Sequence, residues 1–289
     1  MQGWNAYLNE DRMTVGVVIV MNPKTGEILA LVSHPTYENN RMARFIPAYY
    51  YQQLVEDERK PLFNHAISAE HPPGSVYKLA AAIGALNEGV VELNQQLECP
   101  ETGQITIMQK YTQNEVGTPF DYVCWQDTGH GKVDWRHAIA WSCDVYYYKI
   151  SGGFEEEVKQ GLGVYRMKEY AEALGYGEVS GIELPGEMSG LVPDPQWKRI
   201  NAGEIWATGD TYIASMGQGY VLSTPMQVLI SFATLANDGK MMQPTLIYEV
   251  QDAEGNVITP FEPVLKRDIT VDPVIEIYDE DNQATGEFR

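Results

Sequence analysis

The stretch His71-Pro72-Pro73-Gly74-Ser75-Val76-Tyr77-Lys78-Leu79-Ala80-Ala81-Ala82 decides how the rest of the chain is read. Two prolines and a glycine interrupt regular structure, whereas Val76 to Leu86 is rich in helix formers, so the pattern predicts a helix with Ser75 at or just inside its start. It should run to about Glu88 and stop at Gly89. Ser75 and Lys78, three apart, then share one face. A hydroxyl placed there lies at the positive end of the helix dipole, and a nearby amine could take its proton. Alone, Ser-x-x-Lys also reads as a serine N-cap followed by an exposed lysine.

The chain has 289 residues, with 20 Lys plus Arg against 40 Asp plus Glu and a net charge of −20. That length can bury a large core, and so acidic a surface repels phosphate backbones, which argues against a nucleic-acid partner. The longest apolar run, Val15 to Met21, is far shorter than the roughly 20 residues that span a bilayer, and the first segment lacks the pattern of a signal peptide. Because the chain begins and ends abruptly in polar sequence, it is expected to be a piece of a longer protein.

Thr14–Met21 and Glu27–Ser33 are β-rich runs around Asn22-Pro23-Lys24-Thr25-Gly26, a predicted hairpin. Residues 45–56 are aromatic with helical spacing, and 94–127 are loop-rich. Asp134 is a good N-cap for a helix through Trp141, and Ser142-Cys143-Asp144 follows it. Tyr165–Leu174 and Pro225–Ala236 are predicted helices, and residues 245–259 a second hairpin around Asp252–Gly255. Taken alone, Ser142-Cys143-Asp144 is a turn whose Ser or Asp caps the next helix.

A Ser-x-x-Lys followed by a Ser-x-Asp flanked by helices is much rarer than either motif alone, and the two together are a known signature of penicillin-interacting enzymes. With Pro72-Pro73-Gly74, Gly129-His130-Gly131, Leu184-Pro185-Gly186-Glu187, Gly190-Leu191-Val192-Pro193, Gly209-Asp210-Thr211 and Gly217-Gln218-Gly219-Tyr220 in order, the chain resembles the transpeptidase domain of class B penicillin-binding proteins of the elongation type. The resemblance implies an α+β fold of the penicillin-binding/serine β-lactamase-like kind, a helical subdomain with an antiparallel sheet. Residues 1–13 would be a remnant of an N-terminal pedestal or linker, and 14–289 an incomplete transpeptidase domain. It implies that Ser75 attacks the D-Ala-D-Ala amide of a peptidoglycan stem peptide, that Lys78 is its base, that Ser142 relays a proton to the leaving amine and that Asp144 fills the third position of that motif. Lys78 would then need partial burial near a cation or an apolar wall to be neutral part of the time. Asp144, an acceptor only when ionised, requires a donor facing it, for which Lys78 is the natural candidate. Gln218 could line the cleft, though a glycine-flanked turn explains it equally.

The same resemblance implies no cofactor. It implies stem peptides and β-lactams as ligands, a membrane glycosyltransferase of the elongation complex as a partner of the parent protein, and a place on the extracytoplasmic face of the bacterial membrane. The family's third motif, Lys-Thr-Gly, should come last, yet Lys24-Thr25-Gly26 precedes Ser75 and reads as a hairpin tip, while Ala284-Thr285-Gly286 has no lysine. The expectation is that the third motif and the last strands lie beyond Arg289, and that penicillin acylates this chain slowly and an extended one briskly. A penicillin-binding sensor and a serine β-lactamase-like hydrolase are the competing functions. Cys99 and Cys124 suggest a disulfide, with free thiols or a metal held with His130 as the alternatives.

Overall fold

The computed structural model describes residues 14–289 apart from 44, 113–114, 273 and 280–282. The 1–13 remnant expected from the sequence lies outside the described residues. In chain order the elements are β1 (Gly16–Met21), β2 (Ile28–His34), α1 (Asn39–Met42), α2 (Ala48–Glu56), α3 (His65–Ser68), a 3-10 turn (Gly74–Tyr77) and α4 (Lys78–Asn87). There follow β3 (Leu97–Cys99), β4 (Gln104–Gln109), β5 (Thr118–Val123), β6 (Gly131–Val133), α5 (Trp135–Ala140), α6 (Asp144–Gly152), α7 (Val164–Ala173), α8 (Pro195–Asn201), α9 (Thr208–Ser215) and α10 (Pro225–Ala236). The last part holds β7 (Lys240–Met242), β8 (Val250–Gln251), β9 (Val257–Thr259), β10 (Leu265–Asp268), β11 (Glu276–Tyr278) and β12 (Ala284–Phe288). Among the described residues every named strand pairs antiparallel, which with the helices makes the α+β class expected. The chain divides into two compact units, 1–70 with 179–189 and 224–268, and 71–178 with 190–223 and 269–289.

In the first unit β1 and β2 form the predicted hairpin. Val17 and Ile19 turn inward and Val18 and Val20 outward, the period of two that a half-buried strand imposes. The inward residues pack on Ile67 of α3, Met226 and Ile230 of α10, and Met241 of β7, each such burial contributing about 1.5–3 kcal/mol. A capping box starts α10: Gln227 N–H donates to Thr224 Oγ1 at 3.3 Å and Thr224 N–H to Gln227 Oε1 at 2.9 Å, with Pro225 in the first turn. Lys24-Thr25-Gly26 is the hairpin tip: Gly26 has φ +85°, a Cβ there would lie 2.1 Å from the Gln243 carbonyl oxygen, and Lys24 pairs with Asp238 at 3.7 Å. The Leu184-Pro185-Gly186-Glu187 phrase serves a turn, since the Glu187 carboxylate accepts from the N–H groups of Ser180 (2.8 Å) and Gly181 (3.1 Å).

The second unit is built on helices, with Tyr77, Tyr146, Tyr147 and Tyr176 all buried. Residues 94–127, expected to be loop-rich, contain the β4–β5 hairpin instead. Ile105 and Ile107 are buried at alternate positions of β4, whereas β5 is exposed except at Tyr122, so only half the hairpin carries an apolar signal. Helices α8 and α9 were not anticipated either. Asp194 starts α8 by accepting from the Trp197 N–H at 2.7 Å, with Pro195 at the first position, and Asp210 starts α9 by accepting from the Ala207 N–H at 2.6 Å.

Candidate active site

The second unit brings Ser75, Lys78, Ser142 and Asp144 together. The expected helix start is one turn of 3-10 helix from Gly74 to Tyr77 followed by α4 from Lys78. In 3-10 geometry residues three apart eclipse, which carries Ser75 and Lys78 to the same side. Ser75 stays exposed while Lys78 is 3% exposed. The turn is clamped by Gly217, whose carbonyl accepts from the Gly74 N–H at 2.9 Å. Gly217 has φ +63°, and a Cβ there would lie 2.5 Å from the Gly74 oxygen, so the close approach requires glycine.

Lys78 Nζ donates to Asp144 Oδ1 at 2.5 Å, to Ser142 Oγ at 3.0 Å and to the Ser142 carbonyl at 3.0 Å. Ser142 Oγ in turn lies 2.9 Å from Ser75 Oγ. The Ser75 hydroxyl and the Lys78 amine are thus joined through the Ser142 hydroxyl, an arrangement through which a proton can pass. Asp144 has the donor its acceptor-only chemistry demands, and a second one, the Trp125 N–H at 2.9 Å from Oδ2. A lysine that is neutral part of the time needs a cation or an apolar wall beside it. The wall is there, the Tyr147 ring 5.2 Å from Nζ, but the charged neighbour is a carboxylate. Burial holds the Tyr147 hydroxyl well above its ordinary range, so it stays protonated.

Ser142 has φ 53°, a left-handed conformation for a residue with a Cβ, between the end of α5 and the start of α6. That costs on the order of 1–2 kcal/mol and aims the hydroxyl at Ser75. Ser142→Gly should therefore melt higher than Ser142→Ala by about 1 kcal/mol in stability, while both lose acylation equally. Calorimetry beside an acylation assay checks this; a less stable glycine variant would show that the backbone is unstrained.

Gln218, the remaining sequence candidate, is exposed, and its Nε2 would be 3.5 Å from a Cβ on Gly74, which places it beside the nucleophile turn.

Beyond Asp144, the side chains of Cys99, Cys124, His130 and Cys143 converge with their ligand atoms all within 4.8 Å of one another. The three thiols are free and buried, so the Cys99–Cys124 pairing favoured from sequence is replaced by a four-residue cluster that includes Cys143. Neither motif spacing nor periodicity singled out Cys143; its place inside Ser142-Cys143-Asp144 was the available signal. His130 Nδ1 lies 3.5 Å from Cys124 Sγ and 3.8 Å from Cys99 Sγ. The ligand edges of a tetrahedral zinc site are about 3.5–3.8 Å, so three sulfurs and one imidazole fit a structural zinc ion. The three thiols share protons: donation from Cys143 and Cys99 holds the Cys124 thiol below its usual range while theirs are pushed up.

The profile of the family described as "Penicillin binding protein transpeptidase domain" matches residues 16–280. The chain is 31% identical over 239 residues to the peptidoglycan D,D-transpeptidase MrdA of Acinetobacter baumannii, covering 83% of this chain and 33% of that protein. Two solved structures are similar at 30% identity. PBP2 of Pseudomonas aeruginosa in complex with WCK 5153 has a TM-score of 0.72 and coverage of 92% of this chain and 56% of that one. The PBP2–MreC complex of Helicobacter pylori has a TM-score of 0.71 and coverage of 90% and 44%. The chain spans about a third of the length of the curated relative. With residues 16–280 of the chain matched to the family and Ser75, Lys78, Ser142 and Asp144 assembled in one hydrogen-bonded cluster, the chain belongs to the penicillin-binding protein transpeptidase domain family.

Proposed function

We propose that this chain carries the acylation machinery of a serine-type peptidoglycan D,D-transpeptidase, with Ser75 as nucleophile. The observation that carries the reading is the unbroken path from Ser75 Oγ through Ser142 Oγ to Lys78 Nζ, at 2.9 and 3.0 Å. In the first step Ser75 Oγ bonds to the carbonyl carbon of the penultimate D-Ala, its proton passes to Lys78, and the terminal D-Ala departs as the amine protonated through Ser142. An acceptor amine then reverses the sequence and frees Ser75. A β-lactam enters by the same attack, its ring amide opening onto Ser75. Stem peptides and β-lactams are accordingly the ligands proposed.

The parent protein is proposed to work in the elongation machinery at the outer face of the cell membrane, a reading supported by the Helicobacter pylori relative solved with MreC. Among the described residues no helix is long and apolar enough to cross a membrane.

Prolonged incubation of the chain with excess penicillin G, followed by proteolysis and mass spectrometry, tests the function. The penicillin mass is expected on the peptide holding Ser75 and to persist for hours. A label elsewhere would overturn the assignment, and rapid hydrolysis with no persisting adduct would favour the β-lactamase-like alternative.

A further inference from the structure

A cleft of about 1080 Å³ opens in the second unit, and Ser75, Lys78, Ser142 and Asp144 are not among its lining residues. One wall is the C-terminal end of α6, whose first residue is Asp144; Ser151 lies about 11 Å further along the helix axis. The cleft is lined by the cations Lys110, Lys159 and Arg199, and none of its lining residues is Asp or Glu. In a chain with twice as many acidic as basic residues, that is a marked local reversal of sign. The acids that flank it are engaged elsewhere: Asp194 pairs with Lys168 at 2.6 Å, and Asp210 and Glu204 pair with Lys198 at 2.8 and 3.2 Å. Among the described residues Lys110 and Arg199 meet no carboxylate, and Lys159 meets only the exposed Glu156 at 3.1 Å.

Two further features point to an anion. Gly163 begins the ten-residue helix α7 at the rim without any side-chain cap, which leaves its first N–H groups available. Ser151, completely buried among the lining residues, has a hydroxyl with no partner. The remaining lining suits rings that carry hydroxyl groups: Trp206 and Tyr165, one face of which is stacked on Tyr278, give aromatic surface, while Gln160, Gln196 and Thr112 give donors and acceptors. The volume lies at the upper end of the roughly 300–1,000 Å³ of small-molecule sites, room for more than one sugar ring.

We propose that this cleft binds a carboxylate-bearing glycan strand, with sugar rings against Tyr165 and Trp206 and carboxylates at Lys110, Lys159 and Arg199. The choice of polymer rests on the transpeptidase reading; the charge and aromatic complementarity do not. The strand's carboxylates come either from the lactyl ether of a bare strand or from an attached stem peptide, two sources of one chemistry.

The test is equilibrium binding of three probes to the 289-residue chain: the N-acetylglucosamine–N-acetylmuramic acid disaccharide, the same disaccharide bearing a tetrapeptide, and neutral chitobiose. At least one carboxylated probe should bind about tenfold or more tightly than chitobiose, as one or more charge-assisted contacts imply, and the stronger of the two identifies the carboxylate's source. Arg199→Glu, and separately Lys159→Glu at an exposed position, should remove that advantage while penicillin labelling of Ser75 stays within about twofold. Equal binding of chitobiose, no binding of any probe, or full retention in both variants would overturn the proposal. Loss of Ser75 labelling with glycan binding intact would overturn the transpeptidase reading alone.

Discussion

Cys124→Ser, or removal of metal by a strong chelator, should lower the melting temperature of the chain by about 7–20 °C and suppress acylation of Ser75. The untreated chain should carry one zinc ion, read by native mass spectrometry. The magnitude follows from the donor set. Structural zinc contributes roughly 10–16 kcal/mol to the folding of small zinc domains, and even a third of that, about 3–5 kcal/mol, gives about 7–20 °C at about 2–4 °C per kcal/mol. The coupling to chemistry follows from position. Cys143 lies between Ser142 and Asp144, and Cys124 precedes Trp125, whose N–H holds Asp144 Oδ2 at 2.9 Å. Cys99 ends β3 and His130 precedes β6, its partner strand, so the cluster ties a strand pair, a hairpin end and a helix start to one point. A metal held there would fix the segments that place Ser142 and Asp144 against Lys78, and its removal would free them. A metal-free chain whose melting is indifferent to chelator would refute this, and a loss of two hydrogens reversed by reductant would restore the Cys99–Cys124 disulfide.

The convergence of Ser75, Lys78, Ser142 and Asp144 was legible in the sequence because each piece has a local signature. Ser75 and Lys78 announce themselves through the Pro-Pro-Gly break before a helix, and Ser142 with Asp144 through the Asp134-capped helix before them. The β1–β2 hairpin was equally plain, since the β-rich runs Thr14–Met21 and Glu27–Ser33 flank the turn residues Asn22-Pro23 and Gly26. What failed was long-range or weakly patterned. The β5 strand is exposed at all but Tyr122, so its period of two carries no apolar contrast, and α8 and α9 are too short for a helical period to emerge. The cysteine cluster brings together residues up to 44 positions apart (143 − 99 = 44), a convergence created by tertiary structure. The carboxylate beside Lys78 was named from sequence, but its second donor, a backbone N–H of Trp125, could not be, because any residue supplies one.

Lys78→Met should cut the rate of Ser75 acylation by about 10²–10⁴-fold, the range over which a positioned base accelerates proton transfer. It should also destabilise the chain, for a reason separable from catalysis. Lys78 and Asp144 are 4% and 17% exposed at their side chains, and methionine would fill the lysine's volume while leaving the Asp144 carboxylate with the Trp125 N–H alone. Stranding one member of a buried pair costs about 3–5 kcal/mol, and Asp144's residual exposure sets the expectation near the lower figure, or a melting decrease of about 6–12 °C. Adding Asp144→Asn to Lys78→Met replaces the stranded charge by a neutral amide that can still accept from Trp125. The double variant should regain most of the lost stability and none of the lost acylation. That divergence separates a base from a strut: if Lys78 only held Asp144 and Ser142 in place, rate and stability would recover together, and a double variant that acylates within tenfold of the original chain would remove Lys78 from the chemistry.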